Sequence, residues 1–461
     1  MMKNSMKSIL AILTCGLFFT ACVNEEDDIF DKTAAERLNE ASEIYSQHLM
    51  ASPNGWAMQY YPTYSDEAPS GQGFLMLIGF NKDHSAKVSL GYWPYYTSMY
   101  NASTGSWTDQ LHYSNDFIES TSLWEVITDN GPVLSFNSYN EAVHLFSDPS
   151  TSPVGEGIGG DYEFIIVDAP DDASYMMLKG KKHGTYNLLT PVEEGVEYRQ
   201  YFEEVNAFQK KMFPDDGPTF DIVHFGDSIY KMDSASDGIP NIYPIDGDAA
   251  VNQHFNPFLI TKRGDDFYLR FRDAFDMNTT NVIQDFRYIP SSDRFQCVEN
   301  ENYYIEGYGV SDFLMEQLNK GHAFYLKRQT GEMSDKMRNL YEKCHDSFKG
   351  LSKSYALDSL AFTKNLDNGN YKWSFKYAAG KGATTISYEY TGDLENNVIN
   401  FAYYQAGQYG DIILDVEGVE ELVKETFGQP FRVERYETSF NLTRLKFIAV
   451  NDPDLWFTLK Y

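Results

Sequence analysis

The fold is decided by the stretch FLMLIGFNKDHSAKVSLGY, residues 74–92. Two apolar runs, FLMLIGF at 74–80 and AKVSLGY at 86–92, flank the polar turn NKDHS. Apolar runs of this length around a short polar turn predict a β-hairpin. The runs VLSF, AVHLF, YEFIIV and SYMMLKG continue the pattern to about residue 180, between Gly, Pro and Asp turns. Such a meander predicts a β-barrel or a β-sandwich.

A helix precedes this meander. Thr33 and Glu36 have the T-x-x-E spacing of a capping box, which satisfies backbone N–H groups at a helix start. Apolar residues then recur on one helical face to about residue 50. Pro53 and Gly55, in SPNGW, end the helix. The sequence therefore predicts a helix that packs against the first sheet.

The same order recurs downstream. A helical stretch at 198–213 is followed by further strand signals, and a third segment begins near Glu332. The predicted fold class is α+β with β dominant, built of antiparallel meander, barrel-like or sandwich domains that are each preceded by a packed helix. The predicted divisions are 1–21 signal peptide, 22–31 acidic tether, 32–195 first helix and meander, 196–330 second helix and meander, and 331–461 C-terminal α+β region.

Composition limits the classes of function. Of 461 residues, 16% are aromatic, with 34 Tyr and 32 Phe, which is typical of a β-rich globular chain and not of a disordered one. The formal charge of −30 repels phosphate backbones, so a nucleic-acid partner is not expected. Cys297 and Cys344 could form a disulfide in an oxidising compartment or remain two buried thiols.

The N-terminus has the features of a secretory signal. Lys3 and Lys7 precede an apolar run at 9–19, and small residues follow. Cys22 comes directly after Thr20-Ala21 and resembles the lipidated cysteine of bacterial lipoproteins. Lipidation there would anchor the protein stably in a membrane. The alternative is an ordinary signal peptide with a cysteine there by chance.

Four acids follow the cysteine: Glu25, Glu26, Asp27 and Asp28. They resemble the signal that sends Bacteroidetes lipoproteins to the outer face of the outer membrane. A run of like charges is also typical of a solvated tether, and the two roles are compatible. We expect a lipid-anchored outer-membrane protein that faces the exterior, with the periplasmic face as the alternative.

Several motifs together resemble one family. They are SPNGWAMQYYP (52–62), the FLMLIGFNKD hairpin, GPVLSFNSYNEAVHLFSDP (131–149), GGDYEFIIV (159–167) and LKGKKHGT (178–185). The resemblance is to the Bacteroidetes lipoprotein family catalogued as domain of unknown function 4302. It implies a place beside starch-utilisation-type transporters and their substrate-capturing lipoproteins. The family offers no catalytic or binding residues to transfer.

No catalytic motif stands out. GEGIGG (155–160) has the spacing of a dinucleotide loop, but a strand signal follows it where a helix is required. The nine histidines contain no H-E-x-x-H pair, and no G-x-S-x-G is present. We therefore expect no cofactor, no metal and no assigned catalytic residue, although dispersed residues could still converge.

The segment GYWPYYTSMYNASTGSW (91–107) is the strongest candidate for binding. It has no charged residue, and Pro94 disfavours a central strand. Rigid rings with small polar neighbours make good contact surfaces for a glycan or a peptide. The alternative is that alternate rings cover the core of the meander. The candidate residues are Tyr92, Trp93, Tyr95, Tyr96, Tyr100 and Trp107.

Three Asp-Ser pairs resemble the O-glycosylation signal of exported Bacteroidetes proteins. The candidate serines are Ser228, Ser234 and Ser359. So short a pattern also arises by chance, and its use would require that each serine be exposed.

These observations favour a surface lipoprotein that is a non-catalytic binding or assembly component of a nutrient-uptake system. A surface hydrolase of peptide or glycan, with dispersed active-site residues, is the first alternative. A structural envelope lipoprotein is the second.

Overall fold

Three antiparallel eight-stranded sheets follow one another along the chain. The computed structural model describes residues 32–129, 131–214, 220–233, 235–247, 255–276, 282–407, 409–436, 440 and 442–461. The first and third sheets close into barrels, the second is an open sheet, and helices precede all three. The predicted α+β class, dominated by antiparallel strands, is confirmed.

The first barrel has the strand order β1-β10-β9-β8-β7-β6-β3-β2. Its elements are α1 Ala34–Leu49, β1 Trp56–Tyr60, β2 Phe74–Phe80, β3 Ser85–Leu90, β4 Trp93–Asn101, β5 Ser106–Ser114, β6 Ile118–Thr128, β7 Pro132–Phe136, α2 Glu141–His144, β8 Glu163–Asp168, β9 Met176–Gly180 and β10 Tyr186–Pro191. A short 3-10 helix, Pro149–Thr151, precedes β8.

Two local predictions are confirmed in this barrel. The Thr33 side chain accepts a hydrogen bond from the Glu36 N–H, and the Glu36 carboxylate accepts one from the Thr33 N–H, so the capping box is present. Strands β2 and β3 form the predicted hairpin, with Phe80 opposite Ala86. Side chains from α1 and from both strands join the core of the barrel.

The second sheet has the order β13-β12-β11-β18-β17-β16-β15-β14. Its elements are α3 Tyr198–Met212, β11 Phe220–Phe225, β12 Ser228–Asp233, a 3-10 helix at Ala235–Asp237, β13 Asn241–Pro244, β14 Phe258–Arg263, β15 Asp266–Phe275, β16 Ile283–Ile289, β17 Arg294–Cys297 and β18 Tyr303–Gly307.

The first barrel and the second sheet share one apolar core. Ala57, Leu75 and Leu77, on β1 and β2, point away from the barrel interior and pack with α3 and the second sheet. Their neighbours Met58 and Met76 point inward. Both faces of β1 and β2 are therefore buried, because the second sheet covers what would otherwise be the outer face of the barrel.

The third sheet closes into a barrel in the order β19 to β26. Its elements are α4 Val310–Asn319, β19 Phe324–Lys327, α5 Asp335–Leu351, β20 Ala356–Lys364, β21 Tyr371–Ala379, β22 Gly382–Glu395, β23 Val398–Ala406, α6 Gly410–Leu414, α7 Glu417–Glu420, a π-helix at Glu421–Thr426, β24 Phe431–Arg435, β25 Arg444–Ala449 and β26 Trp456–Lys460. Strand β19 lies upstream of residue 331, where the sequence analysis places the start of the C-terminal region, and α4 also packs into this core.

One buried arginine joins the second sheet to the first barrel. Arg272, on β15, is 9% exposed and lies against the loop between β1 and β2. Its Nη1 donates to the Ser65 carbonyl at 2.9 Å and, at longer distance, to those of Thr63 and Gly71. Its Nε donates to Asp273 at 2.8 Å. The guanidinium thus satisfies backbone acceptors that are more than 200 positions away in the chain.

A second arginine joins the third barrel to the second sheet. Arg435, at the end of β24, donates from Nη1 to Asp293 at 3.2 Å and from Nη2 to the Tyr308 carbonyl at 3.1 Å. Its positive charge also acts on Asp221, which is 2% exposed on β11. A Cβ on Gly307 would lie 2.3 Å from Arg435 Nη2, so glycine leaves room for the guanidinium.

Both cysteines in the body of the chain are free and buried. Cys297 lies on β17 in the second sheet, and Cys344 lies on α5 in the third unit. Burial raises the pKa of the Cys344 thiol, which disfavours its reactive thiolate form. Of the two alternatives that the sequence left open, the structure has the pair of buried thiols.

None of the helices in the described part of the chain combines the length and the apolar character that a membrane crossing requires.

Candidate functional site

The predicted aromatic segment forms most of a β-ribbon. Strands β4 and β5 pair in register from Trp93↔Ser114 to Asn101↔Ser106, and among the described strands they pair only with each other. We call residues 93–114 the aromatic ribbon. Both of its strands are edge strands, so Pro94 costs no hydrogen bond to a further strand. Pro94 thus lies outside any central strand, and the segment forms a two-stranded extension of the first barrel.

The base of the ribbon is fixed to the core. Tyr92, the residue before it, stacks on Tyr113 with ring centroids 5.0 Å apart and planes 8° apart, and on Phe74 at 6.3 Å. Trp93 and Tyr96 are partly buried against the same core. These rings therefore cover the core of the barrel, which was the alternative to a binding role. Burial raises the pKa of Tyr96, with a further contribution from the charge of Asp109.

The tip of the ribbon is exposed. Tyr100 and Trp107 face each other across the two strands, with centroids 5.4 Å apart and planes at 53°. Tyr100 is 56% exposed and Trp107 is 68% exposed. Ser98, on the same face, donates to Asp109 Oδ1 at 2.5 Å. An open aromatic pair therefore stands beside a carboxylate that can accept hydrogen bonds.

The opposite face of the ribbon carries a second group of rings. Tyr95 stacks on His112 with centroids 5.3 Å apart, and Trp93 lies beside Tyr95 at 5.7 Å. The His112 Nε2 is 2.8 Å from Thr97 Oγ1, which fixes the imidazole plane. Tyr95 is 38% exposed. This face offers a shallower platform than the tip.

The six predicted rings thus do not form one surface. Strand alternation places Tyr95 on one face and Tyr100 with Trp107 on the other, while Tyr92 belongs to the core. Sequence reasoning missed His112 and Met99, which is 55% exposed near the tip. The small residues at 102–105 could have indicated the turn, and alternation from that turn would have separated the two faces.

A polar groove of about 510 Å³ lies at the start of β1 and of α3. Lys87 pairs with Glu119 at 3.3 Å and lies 5.1 Å from the Tyr198 ring centroid. Burial, together with the charge of Glu119, raises the pKa of Tyr198 to about 12. The Tyr198 hydroxyl donates to the Asn54 carbonyl at 2.8 Å. The charges and hydrogen-bonding groups of these side chains are paired with one another. The groove is therefore best explained as a structural contact between β1, β3 and α3.

No metal-binding cluster appears in the part of the chain that the structure describes. Among these residues, no three His, Cys, Asp or Glu side chains are placed to hold a metal ion. The stretch 155–160 leads into strand β8 and not into a helix, and Ile158 is buried in the core, so it is an anchored connector.

The three candidate glycosylation serines differ. Ser228 is exposed at the start of β12, whereas Ser359 is 7% exposed within β20 and does not meet the requirement of exposure. Ser234 lies outside the described residues, as do Cys22 and the acids at 25–28.

Residues 26–290 match the family described as Domain of unknown function (DUF4302). The chain belongs to this family. The match covers the first barrel and the second sheet through β16, whereas β17, β18 and the third barrel lie beyond it.

No curated protein matches the chain. Two solved structures show weak likeness. A putative DNA polymerase III beta subunit from Eubacterium rectale is 8% identical over 91% of this chain and 97% of its own, with a TM-score of 0.13. A DNA polymerase sliding clamp from Caulobacter crescentus is 8% identical over the same shares, with a TM-score of 0.10.

Two of the DUF4302 motifs meet at one buried carboxylate. Asp161, in GGDYEFIIV, is 4% exposed and accepts hydrogen bonds from the N–H groups of Lys182 and His183 at 2.8 and 3.0 Å. Both residues belong to LKGKKHGT. A Cβ on Gly180 would lie 2.2 Å from Asp161 Oδ2, so that position requires glycine. These motif residues hold the β8–β10 corner together, which is a structural role.

The SPNGW motif is also structural. The Trp56 indole donates to the Leu49 carbonyl at 2.7 Å, which satisfies an acceptor at the end of α1. Asn54 donates to the carbonyls of Glu193 and Val196, just before α3. Gly55 has φ +75°, which a side chain would strain. The motif thus connects the first helix, the first strand and the chain that leads into α3.

Proposed function

We propose that this protein is a lipid-anchored outer-membrane protein, displayed at the cell surface, and a non-catalytic binding or assembly component of a nutrient-uptake system. The observation that carries the proposal is the exposed pair Tyr100–Trp107 at the tip of the aromatic ribbon. The lipoprotein-like N-terminus supports the location, and the resemblance to transporter-associated lipoproteins supports the setting.

The exposed pair Tyr100–Trp107 has the setting of a contact surface. Its rings stand clear of the core and gain nothing from folding, and exposed apolar patches with a polar rim are typical of binding sites. Tyr and Trp are favoured in such sites because they offer a large rigid area at low entropy cost. Ser98 and Asp109, on the same face, supply hydrogen-bonding groups at the rim. A flat sugar face or an apolar peptide side chain fits this chemistry.

The proposal is tested by the double substitution Tyr100→Ala, Trp107→Ala. We expect binding to whichever oligosaccharide or peptide the wild type retains in a screen to weaken about tenfold or more, which corresponds to about 1.4 kcal/mol. Exposed substitutions usually change stability by about 0.5 kcal/mol or less, so thermal melting should hardly change. Calorimetric titration and melts of both proteins measure the two effects.

Two controls sharpen this test. Tyr186→Ala removes a ring that is 46% exposed on β10, away from the ribbon, and should leave binding intact. Trp93→Ala removes a partly buried ring and should lower the melting temperature more than Trp107→Ala does. Equal binding by the tip variant and the wild type would refute the ribbon as the ligand site. Turnover of a ligand by the purified protein would favour the hydrolase instead.

The location is tested separately at the N-terminus. We expect Cys22→Ala to abolish lipidation and to release the protein from membranes, because the cysteine would carry the acyl chains. Alanine at Glu25, Glu26, Asp27 and Asp28 should preserve lipidation but lower surface display. Membrane fractionation and protease shaving of intact cells measure these outcomes. Equal protease access in the wild type and the four-alanine variant would mean that the acids are only a tether.

A further inference from the structure

A pocket of about 430 Å³ lies on the outer face of the third barrel, where β19, β26 and β25 run side by side. Its walls carry the basic side chains of Lys327, Arg444 and Lys460 and one acidic side chain, Glu332. The chain as a whole has a formal charge of −30. We call this the basic pocket. Its side chains carry a net positive charge, opposite to the net charge of the whole chain, so an anionic ligand would be attracted to it.

Strand pairing places the side chains of Tyr325, Lys460 and Arg444 in one row across β19, β26 and β25. Lys460 is directly opposite Tyr325 on one side and Arg444 on the other. The alternate residues Leu326, Leu445 and Leu459 point into the core. Because side chains alternate between faces, Tyr325, Lys460 and Arg444 must all stand on the outer face. The cations thus converge through the sheet register.

Two polar side chains of the pocket, Arg444 and Glu332, are paired with each other. Arg444 Nη1 donates to Glu332 Oε1 at 2.9 Å, and its guanidinium lies 5.1 Å from the Tyr436 ring centroid. Glu332 Oε2 is buried and accepts no hydrogen bond from the described residues. The Glu332 side chain as a whole is 43% exposed, so its carboxylate can also accept a hydrogen bond from a ligand hydroxyl.

The remaining walls offer aromatic and hydroxyl groups. The Tyr325 ring is 44% exposed. Tyr461 is fixed by a 2.8 Å contact between its hydroxyl and His322 Nδ1. Thr330 and Thr458 complete the lining. A sugar ring combines a flat face with several hydroxyls, so it matches an aromatic wall beside mixed donors and acceptors.

We propose that the basic pocket binds a short carboxylated saccharide, with the carboxylate held by Arg444, Lys460 and Lys327, a hydroxyl donating to Glu332, and the ring against Tyr325. The guanidinium of arginine suits a carboxylate in particular. A compact pocket favours the end of a glycan over an extended acidic peptide. This site lies outside residues 26–290 and is separate from the aromatic ribbon.

The test is calorimetric titration of the purified full-length protein with trigalacturonate, maltotriose, triglutamate and inorganic phosphate. We expect trigalacturonate to bind. The affinity for each of the other three ligands should be lower by about tenfold or more. Added NaCl should weaken the binding of trigalacturonate, because salt screens exposed charges. The double substitution Lys327→Ala, Lys460→Ala should weaken it about tenfold or more.

The matched control is Lys353→Ala, Lys381→Ala, which removes two exposed lysines elsewhere on the same unit. Lys381 lies in the β21–β22 turn, on the opposite side of the barrel. The control should bind trigalacturonate like the wild type, and so should Trp107→Ala, which separates this site from the ribbon. The proposal is overturned if the wild type does not bind trigalacturonate, or if the Lys327, Lys460 variant binds as the wild type does. Equal binding of maltotriose, triglutamate or phosphate would replace the carboxylated saccharide by another class of ligand.

Discussion

Replacing Arg272 by methionine is expected to cost about 3 kcal/mol or more of folding stability. Methionine keeps much of the side-chain volume but removes the donors to the carbonyls of Thr63, Ser65 and Gly71. Hydrogen bonds from charged donors contribute about 1.5–3 kcal/mol each, and a buried acceptor left alone loses its solvation as well. The loop between β1 and β2 should loosen from the second sheet. Chemical denaturation and hydrogen exchange across residues 61–73 measure this effect.

The matched control is Arg287→Met. Arg287 is 48% exposed and pairs with Asp266 at 2.7 Å on the same sheet. Exposed ion pairs contribute about 1 kcal/mol or less, so the control should lose little. If both variants lost the same stability, the buried arginine would not be the joint that its contacts indicate. Exchange in the third barrel should not change in either variant.

Replacing Arg435 by methionine is expected to cost about 3 kcal/mol, because it removes the charged donors to Asp293 and to the Tyr308 carbonyl and the positive charge that acts on buried Asp221. Asp221 is 2% exposed, and burial holds its pKa well above the usual range, while Arg435 draws that pKa down. Without the arginine, the pKa of Asp221 should rise further. Asp293 loses the same partner, although it still accepts from the Tyr288 hydroxyl at 2.7 Å.

The sign of the pH dependence follows from this shift. An acid whose pKa is higher in the folded state stabilises the fold most below its unfolded pKa, which is about 3.9 for Asp, and that contribution is lost as pH rises. This loss stops once pH passes the folded pKa, which is higher in Arg435→Met, so the variant goes on losing stability after the wild type has stopped. The gap in stability between the two proteins should therefore widen as pH rises above the folded pKa of Asp221 in the wild type. Chemical denaturation over a series of pH values measures it. Arg432→Met, on the same strand but 55% exposed, should show neither the large loss nor the widening. A gap that narrows with rising pH would contradict this account.

Local chemistry made part of the fold predictable. The capping box at Thr33 and Glu36 and the hairpin at 74–90 depend on neighbours within a few residues, and both were predicted. The helix predicted at 198–213 is α3, Tyr198–Met212. The arginine joints were not predictable, because Arg272 reaches acceptors about 200 positions away and nothing near it in the sequence indicates them.

The candidate site was predictable only in part. The density of aromatic residues predicted a binding segment at 92–107. It could not show that Tyr92 packs against the core while Trp107 is exposed to solvent. That division depends on where the ribbon leaves the barrel. The basic pocket was not predictable, because Lys327 is more than 100 positions before Arg444 and Lys460 and joins them only when β19 pairs with β26.

The core shared by β1, β2 and the second sheet makes the first barrel and the second sheet depend on each other for solubility. A gene fragment that encoded the first barrel alone would expose Ala57, Leu75 and Leu77 to water. These residues would form an apolar patch on the outer face of the barrel. Recombination that separated the two units would therefore yield a product prone to aggregate. The two units should pass through evolution as one module, and the matched family region, 26–290, includes the first barrel and the second sheet through β16.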